Sequence, residues 1–210
     1  SEDDIEQAIL QKLEGDPFQY GILRCDPSPD KRELLPDGTG RSSKKECVLP
    51  LILREALARL NPDIPGEKLE EIARDLCRDF SATDMTATNY KYYNQIRNGI
   101  KISLRRNGKE DFDFVKLVDF DRPENNTFTA VSQMWIQGRV YWRRPDVLIF
   151  INGLPMVFVE LKNSIVKVEE AYDDNLKNYL RDIPNLFAFN QICVLSNGLE
   201  TRLGAFNATY

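Results

Sequence analysis

Two apolar runs, Val147 to Ile151 and Leu154 to Val159, are separated only by Asn152 and Gly153. No other stretch constrains the fold as tightly. An Asn-Gly pair between short apolar runs is the turn of a β-hairpin. Apolarity that is continuous rather than alternating means that both faces of each strand are covered, so this hairpin belongs in the centre of a sheet. Charges stand at its open end, where burial makes them expensive. Asp146, preceded by Pro145, opens the first strand, and Glu160 and Lys162 close the second.

Geometry decides whether these charges meet. Residues i and i+2 of a strand share a face, about 6.5 to 7 Å apart, so Glu160 and Lys162 project side by side. A two-residue turn at Asn152-Gly153 sets Ile151 against Leu154 and Asp146 against Val159, which puts Asp146 and Glu160 on opposite faces. A three-residue loop, 152 to 154, sets Ile151 against Pro155 and Asp146 against Glu160. One residue of slip flips the face. The sequence therefore predicts a three-residue loop or a bulge within the hairpin, and Pro155, with no N–H for the ladder, fits an irregularity there.

Two buried carboxylates a few ångströms apart repel, and desolvation adds to the cost. A hard divalent cation removes both penalties. Mg²⁺ prefers oxygen ligands, keeps several waters and binds phosphate oxygens; it also acidifies a bound water and stabilises charge on phosphorus. A neighbouring lysine positions that water and neutralises phosphate. Phosphodiester hydrolysis is the reading that uses all three groups. The alternative is a structural ion pair at a strand end, Lys162 with Glu160 or Asp146.

Composition narrows the chemistry further. The 210 residues include no histidine, which excludes Ser-His-Asp and Cys-His hydrolysis, His-ligated zinc and a haem with a proximal histidine within this chain. Cys25, Cys47, Cys77 and Cys193 are scattered without a C-x-x-C; that argues against a Cys-only zinc site and a disulfide scaffold, and the expected location is the reducing cytoplasm. No apolar run approaches bilayer length and no signal-peptide pattern is present, so no membrane association is expected. A net charge of −5 argues against autonomous nucleic-acid binding by a generally basic surface.

Along the chain, residues 5 to 14 follow helical spacing, with Ser1 or Asp3 as cap and Glu2, Asp3 and Asp4 at the positive end. Residues 24 to 46 are rich in Pro, Gly and Ser and read as irregular. Gly38 to Lys44 superficially resembles a phosphate loop but lacks the Gly-Lys-Ser/Thr ending and a preceding strand. Helices are predicted over Val48–Leu60, stopped by Asn61-Pro62, over Glu67–Phe80, and more weakly over Thr88–Arg97, ended by Asn98-Gly99. Period-two alternation then takes over: Ile100 to Leu104, an Asn107-Gly108 turn, Phe112 to Phe120, and Phe128 to Ile136. The expected class is α/β. Residues 1–99 form a helical part, with a first core helix and a helical insertion, and residues 100–210 form the core, the two making one compact unit.

Pro145-Asp146 followed by Glu160-Leu161-Lys162 resembles the PD-(D/E)xK nuclease motif. The longer string from Arg144 to Pro155, then Glu160 to Asn163, closely resembles the N-terminal nuclease region of the restriction (R, motor) subunit of type I restriction-modification enzymes. That family continues with Gln-x-x-x-Tyr, Ile-Pro-x-Leu-Phe, an Asn and a strand. Here these stand as Asn175 to Tyr179, Ile183 to Phe187, Asn190, and Gln191 to Ser196. Asn126, Gln133 and Leu60-Asn61-Pro62 also fit. The likeness covers about residues 46 to 204 and is specific from 144 to 204.

The resemblance implies a restriction-endonuclease-like core, a mixed central sheet flanked by helices. Asp146 and Glu160 would bind Mg²⁺, with Mn²⁺ as a substitute and the Leu161 backbone carbonyl as a further ligand, and Lys162 would assist the attacking water. Asn175 and Tyr179 would place an amide and a hydroxyl near DNA or the catalytic group. Asn175 is one methylene shorter than the family's Gln, and the other reading of this helix is a core face of Tyr172, Leu176, Tyr179 and Leu180. An acid from the first core helix is expected as Glu6, with Glu71 as rival and a solvated helix acid as the plain alternative. Arg139, Arg143 and Arg144, just ahead of Asp146, are the expected phosphate contacts. Arg97, Lys101, Arg105, Arg106 and Lys109 read as a solvated face, and Trp135, Tyr141 and Trp142 as core or rim aromatics.

Type I R subunits are long and carry ATP-driven translocase domains; this sequence has no Walker A motif. The resemblance therefore implies a fragment of a longer motor subunit, ending just past the nuclease domain, or a stand-alone relative. ATP would be bound only by the full-length subunit, which would also bring double-stranded DNA and the methyltransferase (M) and specificity (S) subunits as partners. Two alternatives remain: another PD-(D/E)xK nuclease of repair or junction resolution, and a catalytically silent coupling or DNA-binding module.

Overall fold

The computed structural model describes residues 1–78, 84–106 and 108–209. Phe80 and Asn107, the expected end of the third helix and start of the first hairpin turn, lie outside them, as does the Arg106 side chain.

The first helix, α1 (Glu2–Glu14), is capped by Ser1, whose hydroxyl accepts from the Asp4 N–H at 3.3 Å while the Asp4 carboxylate reaches back to the N-terminal amine at 2.8 Å. Helices α2 (Pro50–Leu60), α3 (Gly66–Cys77) and α4 (Met85–Asn98) follow. Proline at the first position of α2 needs no hydrogen-bond partner, and Gly99, at φ +84°, ends α4. The hairpin of β2 (Ile100–Arg106) and β3 (Lys109–Val115) is a two-stranded sheet of its own. Its inner face packs with the three helices in one apolar cluster around Leu53, Leu57, Ile72, Tyr92 and Val115.

The central sheet has six strands in the order β1 (Gly21–Arg24), β4 (Phe128–Ser132), β7 (Val147–Ile151), β8 (Leu154–Leu161), β9 (Ile192–Ser196) and β10 (Thr201–Gly204). β1 runs parallel to β4 and β8 parallel to β9; the other pairs are antiparallel, so the sheet is mixed. A parallel pair needs a crossover. Between β8 and β9 it is one helical run: α5 (Val168–Glu170), a π-helical stretch (Ala171–Leu176) and α6 (Lys177–Asp182). Between β4 and β7 a short ribbon, β5 (Ile136–Gln137) and β6 (Trp142–Arg143), projects from the sheet.

Strand alternation sorts the core into layers. Val147, Val159, Leu161 and Ala130 meet Leu10 of α1. Leu148, Phe150 and Phe158 meet Leu176, Tyr179 and Phe187 on the crossover side. The chain thus crosses residue 100 in both directions: β1 lies in the central sheet, and the 100–115 hairpin lies outside it. β1 is only four residues long and carries little periodic signal.

Two expected strands are shorter in the structure. β3 ends at Val115 because the Asn61 side chain takes both the N–H and the C=O of Lys116, at 2.7 and 2.9 Å. β4 ends at Ser132 because Gln133 turns left-handed, at φ +58°. The central hairpin keeps a two-residue turn, with Asn152 at φ +52° and Gly153 at φ +82°. Ile151 pairs with Leu154 and Phe150 with Pro155, but Ile149 then pairs with Val157. Met156 is the extra residue of a β-bulge, the register restores Val147 to Val159, and Asp146 comes level with Glu160.

Candidate active site

The bulge brings the three hairpin charges together at one end of the sheet. Asp146 Oδ2 accepts from the backbone N–H of Leu161 at 2.7 Å. Glu160 is 2% exposed. Its Oε1 accepts from the Asn175 amide and lies 3.5 Å from the Tyr179 hydroxyl. The same Asn175 side chain receives the Lys162 amine on its Oδ1 at 3.1 Å. Asn175 therefore clasps Glu160 and Lys162 at once, from the π-helical stretch of the crossover. Tyr179, one turn further, donates to the Arg144 carbonyl at 2.9 Å and packs edge-on against Phe158, so it serves both the core and the site.

Glu6 reaches the same end from α1. It is buried, and its carboxylate accepts from the Gln133 amide, whose nitrogen also lies 3.5 Å from Asp146 Oδ1. Glu71, the rival, is on α3 and pairs with Lys68 at 2.9 Å, away from these residues. Of the three arginines, Arg143 is committed to the buried Asp182 at 2.7 Å. Arg144 lies over the Trp135 ring at 5.2 Å and donates to the Pro27 carbonyl. Arg139 is exposed, between the two strands of the β5–β6 ribbon. Tyr141 lies under both Arg143 and Arg181, and Trp142 under Arg32. Sequence reasoning did not make Gln133 a site residue; its part depends on a left-handed backbone that a glutamine does not announce.

Electrostatics makes this end of the sheet hungry for positive charge. Burial pushes the Glu160 carboxyl well above the ordinary range, and the Asp146 charge adds to the shift. Burial raises Asp146 as well, against the pull of the Leu161 N–H. Glu6 is raised by burial in spite of the Gln133 hydrogen bond. Tyr179, raised by burial and by Glu160, keeps its proton and remains a donor. Glu160 Oε2 is buried without a hydrogen-bond partner, an orphaned oxygen inside a protein that satisfies nearly all such atoms.

These donors fit a hard cation of the Mg²⁺ type. Among the described residues no three acidic or cysteine side chains form a cage for a metal by themselves. The available oxygens are those of Asp146 and Glu160, with the carbonyl of Leu161, the residue after Glu160, as a third. So few protein ligands suit an ion that retains waters, and nitrogen or sulfur ligands are missing from the set.

Fold and site together define an α/β protein whose mixed sheet ends in two desolvated carboxylates and a lysine. The chain belongs to the family described as the N terminus of the type I restriction enzyme R protein, whose profile matches residues 1–210. It is 31% identical over its whole length to the HindI endonuclease subunit of Haemophilus influenzae, covering 20% of that protein. It is 30% identical, over 96% of its length, to the putative MjaIXP endonuclease subunit of Methanocaldococcus jannaschii, covering 19% of it. A Staphylococcus aureus type I endonuclease subunit is 33% identical over 49% of the chain, 11% of the relative. The chain thus spans about a fifth of the first two curated relatives. Among the described residues no helix is long and apolar enough to cross a membrane.

Proposed function

We propose that this chain is a Mg²⁺-dependent endonuclease domain of the PD-(D/E)xK, restriction-endonuclease-like class. It hydrolyses phosphodiester bonds of double-stranded DNA as the cleavage module of a type I restriction enzyme R subunit. One observation carries the reading: the Asn175 amide clasps Glu160 and Lys162 while the Leu161 N–H holds Asp146, so two carboxylates and an amine converge beside an unpartnered buried oxygen. The names of the relatives, endonuclease subunits, support the same reaction.

Asp146, Glu160 and the Leu161 carbonyl hold the cation, and Mn²⁺ replaces Mg²⁺ on the same oxygen set. Once bound, the ion supplies Lewis-acid stabilisation of phosphate charge and a more acidic water. Lys162, tethered by Asn175, orients the attacking water and offsets charge on the phosphate. Tyr179 keeps its proton and holds the Glu160 Oε1 edge, leaving Oε2 free to face the ion. Arg139, exposed in the β5–β6 ribbon, contacts the DNA phosphates, whereas Arg143 and Arg144 are engaged with Asp182 and with Trp135 and Pro27.

The net charge of −5 suits a domain that cuts DNA held elsewhere. In the longer subunit, ATP-driven translocation and the M and S partners supply that grip and the recognition site, in the cytoplasm. The test is cleavage of circular duplex DNA by the assembled enzyme carrying Lys162→Ala or Asp146→Ala. Both variants are expected to fold and to lose cleavage while ATP hydrolysis continues; cutting at the wild-type rate by either one rejects the reading.

A further inference from the structure

Gln133 is held in an unusual state that the roles above do not use. It follows β4 at φ +58°, a left-handed conformation uncommon for a residue with a side chain. Such conformations persist where the surroundings impose them, and they gather at functional sites. Its backbone N–H donates to the Asp146 carbonyl at 3.0 Å. Its side-chain nitrogen donates to Glu6 and lies 3.5 Å from Asp146 Oδ1. Its Oε1 is buried with no hydrogen-bond partner. One residue thus touches Asp146 through backbone and side chain, reaches a second buried acid on another element, and leaves a desolvated acceptor at the end of the sheet where Asp146 and Glu160 meet.

Facing carboxylates repel unless donors lie between them, and a buried amide oxygen without a donor is costly. A hydrated divalent cation answers both needs, since its waters are donors. We propose that Gln133 is a positioning residue of this site: its amide nitrogen sets Glu6 and Asp146 relative to each other, and its Oε1 accepts from a water carried by the divalent cation. The inference rests on the Mg²⁺-dependent reading above. It differs from that reading in assigning part of the affinity for the ion to a residue that supplies no ligand.

Mn²⁺ titration by calorimetry, with thermal melting in the absence of metal, tests it on the 210-residue chain. Gln133→Gly removes the amide and suits the left-handed backbone; Gln133→Met keeps length and burial but has no amide. Both are expected to bind Mn²⁺ about ten- to a hundredfold more weakly than wild type, the usual effect of losing a residue that orients a ligand. Gln133→Gly loses the donor to Glu6 but also sheds the orphaned Oε1 and the strained left-handed side-chain residue, so it is expected to melt, metal-free, within a few degrees of wild type. Mn²⁺ affinity within twofold of wild type in either variant, with binding lost in Asp146→Ala, overturns the inference and leaves the Mg²⁺ reading standing. A metal-free melting temperature for Gln133→Gly clearly below wild type marks the residue as merely structural and also overturns it. Identical titrations for wild type and Asp146→Ala overturn both.

Discussion

The Leu161 backbone N–H donates to Asp146 Oδ2 at 2.7 Å. This bond crosses from the residue just ahead of β7 to the last residue of β8, and it exists because the Met156 bulge moves the register by one. Asp146 is thereby fastened to the peptide between Glu160 and Lys162. Asp146→Asn keeps an oxygen for that bond and removes the charge. The variant is expected to keep its melting temperature within a few degrees and to lose about a thousandfold in cleavage rate, the scale seen when a group acting chiefly in the transition state is removed. Plasmid cleavage by the assembled enzyme beside a thermal melt of the chain checks both halves.

Asn175 gives a second test. Asn175→Ala removes the acceptor of the Lys162 amine and the donor to Glu160. Loss of such an orienting residue costs about 10- to 100-fold in activity or metal affinity. Asn175→Gln, the residue typical of the family this chain resembles, retains the amide on a longer arm and is expected to fall less than tenfold below wild type. Equal losses in both variants would show that the length of the arm, not its amide, is what the site needs.

Glu160 makes the metal-free protein sensitive to pH in a defined direction. Its folded pKa lies above the ordinary value of 4.5, chiefly through burial. The folded state therefore binds that proton more tightly than the unfolded chain. The destabilisation by the buried charge is absent below 4.5 and grows as pH rises through the folded value. Glu160→Gln is accordingly expected to stabilise the metal-free chain at pH 7.5 by about 1–3 kcal/mol, the scale for an unsatisfied buried polar group, and to gain nothing near pH 4.5. Denaturant melts at the two pH values measure the difference; a gain equal at both would disprove the charge argument.

Much of the site was legible because β-strand arithmetic is strict. Two apolar runs, an Asn-Gly turn and three charges left either a longer loop or a bulge, and the bulge is what Met156 supplies. Helix caps and stops at Ser1, Asn61 and Gly99 were equally legible, since each acts on neighbours in sequence. Contacts made across the fold were not. Nothing local marks Gly21–Arg24 as a strand of the central sheet, or Gln133 as the left-handed residue that cuts β4 short. Arg143 likewise looks in sequence like a companion of Arg139, and only the approach of Asp182 from the crossover helix separates them.

That separation predicts opposite phenotypes. The Asp182 side chain is 3% exposed and accepts from Arg143 at 2.7 Å. Arg143→Ala is expected to destabilise the chain by about 1.5–3 kcal/mol, the value of a hydrogen bond to a charged group, with Arg181 still covering part of the carboxylate. Arg139→Ala should leave stability unchanged and weaken DNA binding by the assembled enzyme, reducing the salt dependence by about one phosphate contact. Chemical denaturation and binding at two salt concentrations distinguish the pair.

The hairpin turn itself supplies the last prediction. Gly153 has φ +82°, and a Cβ placed there would lie 2.6 Å from the Leu49 carbonyl and 2.8 Å from the Leu53 nitrogen. Both neighbours are backbone at the start of α2, and they cannot swing aside as a side chain would. The Gly153 carbonyl also accepts from the Leu49 N–H at 2.9 Å, so the turn and the helix start are built as one piece. Beside it Asn152, fully buried, donates to the Leu117 carbonyl and accepts from the Thr127 N–H. Gly153→Ala must therefore either open the turn or push α2 away, and an open turn loosens the register that levels Asp146 with Glu160. The expected cost is about 3 kcal/mol or more, since steric overlap adds to an unfavourable left-handed backbone. Cleavage should fall with it at a temperature where wild type and variant are both folded. Full activity in a Gly153→Ala protein of wild-type stability would mean that α2 does not brace the turn.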